Sequence, residues 1–211
     1  MTHQPNTPSR FSLRRFRRGE EGVAAVEFAL LLPVMLTLYM GSIELTQALT
    51  ADRRIVLLAR TLGDLTTQSS TLTAADMTGI VAAASSVMAP MSTSPAKIRI
   101  TSVAISSSGS ADPKVPNKAS VCWSYQNNWT AYTRGTVLDT SQLPEGLRTD
   151  TGTSVVIAEV QYPYKPVIGY VFTGSFNLSE RLYMRPRLST YVARSDLANS
   201  GIPNPTTGPC T

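Results

Sequence analysis

Histidine is almost missing from this chain: His3 is the only one in 211 residues. Beyond the extreme N-terminus, that excludes every nucleophilic site that depends on a histidine base. Cysteine is nearly as scarce. Cys122 and Cys210 stand far apart, with no CxxC pair and no Cys/His spacing of the kind that holds structural zinc. No GxxxxGK phosphate loop or dinucleotide fingerprint occurs. The downstream acids Asp76, Asp139, Glu145, Asp150, Glu159 and Glu180 are scattered, show no paired arrangement and are expected at the surface. No enzyme, metal or cofactor is therefore expected.

Charge is also sparse and unevenly placed. The formal net charge is +5, but Arg10, Arg14, Arg15, Arg17 and Arg18 against Glu20 and Glu21 put +3 of it in residues 1–22. No comparable basic cluster recurs downstream, so nucleic acid is not an expected partner.

What the chain does have is one long apolar run. After a polar, proline-containing start and the basic stretch RFSLRRFRRGEEG comes VAAVEFALLLPVMLTLYMGSIELTQAL. Between Glu27 and Glu44 lie 16 residues without charge. Extended at both ends, the segment is long enough to cross a bilayer as a helix. Arginines before the helix keep the N-terminus cytoplasmic and put the rest of the chain outside. An ordinary signal peptide shares this layout, with Ala48 or Ala51 as the weak cleavage candidates. The length of the run and the carboxylate at its start favour an anchor. A carboxylate at that place is costly in hydrocarbon. If the chain is cut after Gly22, the new amino terminus at Val23 lies one helical turn from Glu27, about 6 Å along the axis, and the two charges can neutralise each other. The other reading is a wet, interfacial Glu27. Pro33 within the run predicts a local kink.

The stretch RRGEEGVAAVEFALLLPVMLTLYMGSIEL resembles the start of TadE-like proteins of the tight-adherence (Tad, Flp-type) pilus system. In that family a leader ends in Gly, a prepilin peptidase cuts after it, and a Glu follows at the fifth mature position. Gly22, Val23, Glu27 and Phe28 match that pattern. The likeness continues through DRRIVLLARTLGDL and, less specifically, through VVIAEVQYPYKPVIG and LYMRPR. It implies a structural or assembly component of such a pilus, pseudopilin-like, in the bacterial inner membrane with a periplasmic domain. The implied partners are the prepilin peptidase, other Tad pilins or pseudopilins, inner-membrane assembly proteins and the lipid bilayer. The alternative is an uncleaved, membrane-anchored scaffold that never enters a fibre.

The remaining pattern predicts an α+β fold, which resembles the general pilin plan of a long N-terminal helix with a sheet-rich head. Ile55, Leu58 and Leu62 make an apolar face on a helix that continues out of the membrane, while Asp52, Arg53 and Arg54 mark its wet side. Thr73 with Asp76 forms a capping box and Leu72 with Met77 a hydrophobic staple, opening a second helix that Pro90 stops. About four strands follow, in an antiparallel sheet. In the first, Ile98 and Ile100 share a face while Val103 and Ile105 take the other, which a bulge or a fully buried end would explain. Val121, Trp123 and Tyr125 are assigned one face of the second. TSVVIAEVQYPY reads as the strongest central strand, and in the last Phe176, Leu178, Leu182 and Met184 face in, interrupted by Glu180. Trp123, Trp129, Tyr162, Tyr164 and Tyr170 are expected in core and sheet packing rather than in an interaction patch. Export would permit a disulfide between Cys122 and Cys210, pinning the tail; the other reading is a buried Cys122 and a free Cys210. The expected divisions are a leader at 1–22, a spanning and emerging helix at 23–65, an extracytoplasmic α+β domain at 66–194 and an irregular tail at 195–211.

Overall fold

A computed structural model describes residues 21–108, 117–149, 151–166, 169 and 174–197. The apolar run and the amphipathic stretch after it form one 47-residue helix, α1 (Glu21–Thr67), unbroken at Pro33. At about 1.5 Å per residue it is about 70 Å long, far more than one small domain can cover. Only its second half is covered. Ala51, Ile55, Leu58, Ala59 and Leu62 are buried, at the i, i+3, i+4 spacing of a single apolar face.

The chain turns at a two-residue strand, β1 (Thr71–Leu72), and enters α2 (Ala74–Ser85), which runs on as a 3₁₀ turn over Ser86–Met88. The capping box is present: the Thr73 hydroxyl accepts from the Asp76 N–H at 3.1 Å, and the Asp76 carboxylate accepts from the Thr73 N–H at 2.8 Å. Leu72 and Met77, the expected staple pair, are buried in the same core. Met77, Val81, Ala84 and Met88 carry the buried stripe of this segment.

Two long strands follow, β2 (Lys97–Ser106) and β3 (Lys118–Asn127), then the short β4 (Val137–Leu138) and the one-turn helix α3 (Glu145–Arg148). The long β5 (Ser154–Tyr164), β6 (Phe176–Met184) and the short β7 (Ala193–Arg194) complete the order. An antiparallel sheet of five strands, more than the four expected, runs β4-β3-β2-β5-β6; β1 and β7 form a separate parallel pair. A long apolar helix, a second helix and an antiparallel sheet make the pilin-like α+β fold expected from the sequence.

Both sheet faces hold a core. Helices α1 and α2 cover one, against Ile98, Ile100, Trp123, Val156, Ala158, Val160 and Tyr162. On the other face Val103, Ile105, Val121, Val155 and Ile157 pack with Tyr132, Leu138, Leu143 and Leu147 from the segment between β3 and β5. Buried residues on both faces are why β2 carries apolar residues in both parities. A register shift against β3 also falls between Ser102 and Val103. Ser102 pairs with Trp123 and Val103 with Val121, so Cys122 is the extra residue of a bulge. This corrects one expectation. Val121 belongs to the second core, while Trp123 and Tyr125 pack with the first, because the bulge reverses the alternation between them.

Two further expectations are corrected. Phe176 is 42% exposed at the start of the edge strand, although its ring packs at a tilt on Tyr164, centroids 5.2 Å apart. Glu159 is buried rather than at the surface. After β6 the chain forms an ordered strap: the Arg187 N–H donates to the Thr67 carbonyl, the Ala193 N–H to Ser70 and the Ser195 N–H to Leu72, at 2.9–3.0 Å. These bonds tie the chain after β6 to the C-terminal end of α1, where helical carbonyls lack intrahelical donors. The Trp123 indole N–H locks the same strap through the Val192 carbonyl at 2.7 Å.

Candidate functional site: the exposed half of the long helix

Among the described residues, nothing packs around the N-terminal half of α1. From Val23 to Leu38 its large apolar side chains are exposed by between 37% (Leu32) and 72% (Leu30), on all sides of the helix. Such a surface is not left in water by a soluble domain. Burial begins around Met40 and becomes complete at Glu44. Residues 22–39 therefore stand clear of the head. As a helix they are about 27 Å long, close to the roughly 30 Å hydrocarbon core of a bilayer. Among the described residues, α1 is the one helix long and apolar enough to cross a membrane, and its apolar half is bare.

The threonine and serine hydroxyls of α1 bond back along the helix. Thr37 donates its hydroxyl to the Pro33 carbonyl at 2.8 Å, and beyond the bare half Ser42, Thr46 and Thr50 bond to carbonyls three or four residues back at 2.7–2.8 Å. Hydroxyls used this way present no free donor to lipid. The missing N–H of Pro33 leaves the ladder one bond short without ending the helix.

Gly22, Val23, Glu27 and Phe28 all lie in the first turns of this bare segment, and Val23 and Phe28 are 58% and 59% exposed. Glu27 is exposed as well, and a Cβ added at Gly22 would meet nothing within 4 Å. The leader residues 1–20 lie outside the described residues. So do Tyr170, Asp150 and Cys210. Cys122 is disulfide-bonded and buried.

Two buried carboxylates were not expected. Glu44, where the helix meets the head, is 1% exposed. Its charge adds to burial in raising the Tyr164 hydroxyl above its ordinary range, burial being the larger cause. Glu159 joins Arg99 at 2.6 Å and Arg181 at 2.5 Å. The three face each other across β2, β5 and β6 in direct register. Arg99 also donates to the Thr130 carbonyl at 3.1 Å and the Tyr132 hydroxyl at 2.8 Å, and its guanidinium stacks on Trp129 and Tyr132 at 4.4 and 3.8 Å. Trp129 thus supports an ion cluster, whereas Trp123, Tyr162 and Tyr164 are core.

A cavity of about 180 Å³ opens beside this cluster, lined by Tyr132, Leu138, Asp139, Ile157, Arg181 and Tyr183 among others. It is smaller than the roughly 300–1,000 Å³ of ordinary small-molecule sites. Asp139 at its rim serves as a cap, held below the usual carboxylate range by the Ser141 hydroxyl and N–H. Among the described residues, no group of three or more His, Cys, Asp or Glu side chains is placed to hold a metal ion.

The family model of TadE-like proteins matches residues 22–62, which is the bare half of α1 and most of its packed half. No curated protein and no solved structure matches the chain.

Proposed function

We propose that this chain, a TadE-like protein by its long helix, is a pseudopilin-like component of a Tad/Flp-type pilus. The TadE-like match over residues 22–62 and the spanning helix support a general role in pilus biogenesis. The finer reading is ours. The N-terminus is cytoplasmic and the head periplasmic, following the arginines before the helix. Prepilin peptidase cuts between Gly22 and Val23, with this chain as substrate. Glu27 then pairs with the new ammonium of Val23. Other Tad pilins or inner-membrane assembly proteins take up the bare helix as it leaves the lipid.

One observation supports this reading above the rest: the apolar half of α1 is exposed on every side and untouched by its own head. Such a helix is stable in lipid, and equally stable among like helices in a fibre. The small residues Ala24, Ala25 and Ala29 permit close approach of a neighbouring helix. Because α1 is continuous from the spanning half into the packed half, the head travels with the helix as one body.

The test is fractionation. Surface filaments are sheared from cells, and both filaments and membranes are probed for this chain. The proposal expects a pool in membranes and a second pool, of mature mass, in filaments. Retention of all the protein in membranes at full length would replace it with an uncleaved scaffold.

A further inference from the structure

We infer that the membrane-proximal lip of the head is itself a lipid-contacting surface, which seats on anionic headgroups and fixes the tilt of the head. This rests on the reading of α1 as a membrane span. The level of the lip follows from how β5 and β6 lie on α1. At one end, Phe176 pairs with Tyr164, the two rings tilted with centroids 5.2 Å apart, and Tyr164 shares a core with Ala48 and Ala51 of α1 and lies within the field of Glu44. At the other end, a Cβ on Gly63 would lie 2.9 Å from Met184 Sδ. Strand β6 therefore runs alongside α1 in the same direction. The lengths agree: 19 helical steps from Glu44 to Gly63 rise about 28 Å, and eight strand steps from Phe176 to Met184 rise about 27 Å. Phe176 thus sits at the height of Glu44, where the bare span ends.

The chemistry at that height is interfacial. Phe176 is 42% and Leu45 is 52% exposed. Lys165 follows Tyr164 directly and is exposed. Lys97, also exposed, begins β2 opposite Gln161, about 10 Å higher along the sheet. Against these stand few exposed acids. Asp52 is eight helical residues above Glu44, about 12 Å. Glu180 is half-buried four strand residues above Phe176, about 13 Å. An aromatic ring and aliphatic side chains flanked by lysine are the side chains that settle at a bilayer surface, with the ammonium reaching headgroup oxygens. Continuity with the span and a positive rim both select anionic lipid as the occupant.

The test uses the full chain in vesicles, with a fluorescent amino acid placed singly at position 36, 176 or 188. The lipids are brominated near the top of the acyl chain, and vesicles are either neutral or one-fifth anionic. Leu36 is in the span, while Leu188 is 72% exposed next to Arg187, which pairs with Asp64 far up α1. The proposal expects quenching at 36 and 176 and none at 188. It also expects Lys165→Glu to weaken the contact at 176 about fivefold in anionic vesicles, leaving 36 unchanged. Quenching at 36 without quenching at 176 would overturn the lip and spare the span. No quenching at 36 would overturn the span and the lip with it. Equal quenching at 176 and 188, or no response to Lys165→Glu, would overturn the specific, anionic contact.

Discussion

Replacing Glu159 with alanine removes the one carboxylate between two guanidinium groups. Arg99 and Glu159 are 9% and 3% exposed, so neither can fall back on water without opening the structure. After the substitution Arg99 keeps the Thr130 carbonyl, the Tyr132 hydroxyl and its two stacked rings, but has no counter-charge in the cluster. Breaking a buried pair from one side costs about 3–5 kcal/mol. The Arg181 side chain is 37% exposed and rehydrates, so its share is small and the total stays in that range. For a chain of about 150–250 residues, each kcal/mol moves the midpoint by about 2–4 °C, so the fall should be about 6–20 °C. The assay is thermal unfolding of the full chain in detergent micelles, followed by near-ultraviolet circular dichroism of Trp123 and Trp129. Arg99→Met with Glu159→Leu should recover most of the loss, because an apolar pair of similar volume needs no counter-charge. A loss below about 1 kcal/mol, the scale of a solvated surface bridge, would refute the claim that this network is dry.

The other predictions concern the cap, the strap and the cysteines. Thr73→Ala should cost about 1 kcal/mol by denaturant titration, since it removes the N-cap oxygen of α2. The Asp76 pKa is lowered chiefly by the Thr73 N–H, then by its hydroxyl. A carboxyl lowered on folding stabilises above its unfolded pKa, and that contribution is lost as the pH falls through its folded pKa. The stability gap between wild type and Asp76→Asn should therefore be present near neutrality and close as pH drops below about 4. Trp123→Phe strands the buried Val192 carbonyl and should cost about 1–3 kcal/mol, with the strap over Arg187–Ser195 gaining hydrogen exchange first. A peptide map without reductant should show Cys122 joined to Cys210, and a free Cys210 thiol would contradict that pairing.

The parts of this molecule legible in the sequence are those set by local pattern. The span is written in a 16-residue gap between charges. The start of α2 is written in Thr73 and Asp76, three residues apart, and both appear as expected. Parity does not hold through β3 because a bulge adds one residue without any mark in SVCWSY, so strict alternation puts Val121 with Trp123 although it lies opposite. Burial of Glu159 depends on partners 60 and 22 residues away. A signal was nevertheless available. A lone acid in VVIAEV and a lone arginine in KIRIT are each out of place in a buried strand, and a charge there asks for its opposite on the neighbouring strand. Glu44 carried no such mark, since it follows the apolar run where a charge is ordinary and is buried only because the head folds back upon it.

Processing between Gly22 and Val23 would give the bare helix its N-terminus, and sequencing the N-terminus of the native protein taken from membranes checks it. The expected start is Val23, four residues before Glu27. A start upstream of Arg10 would leave the leader in place and rule out the cut.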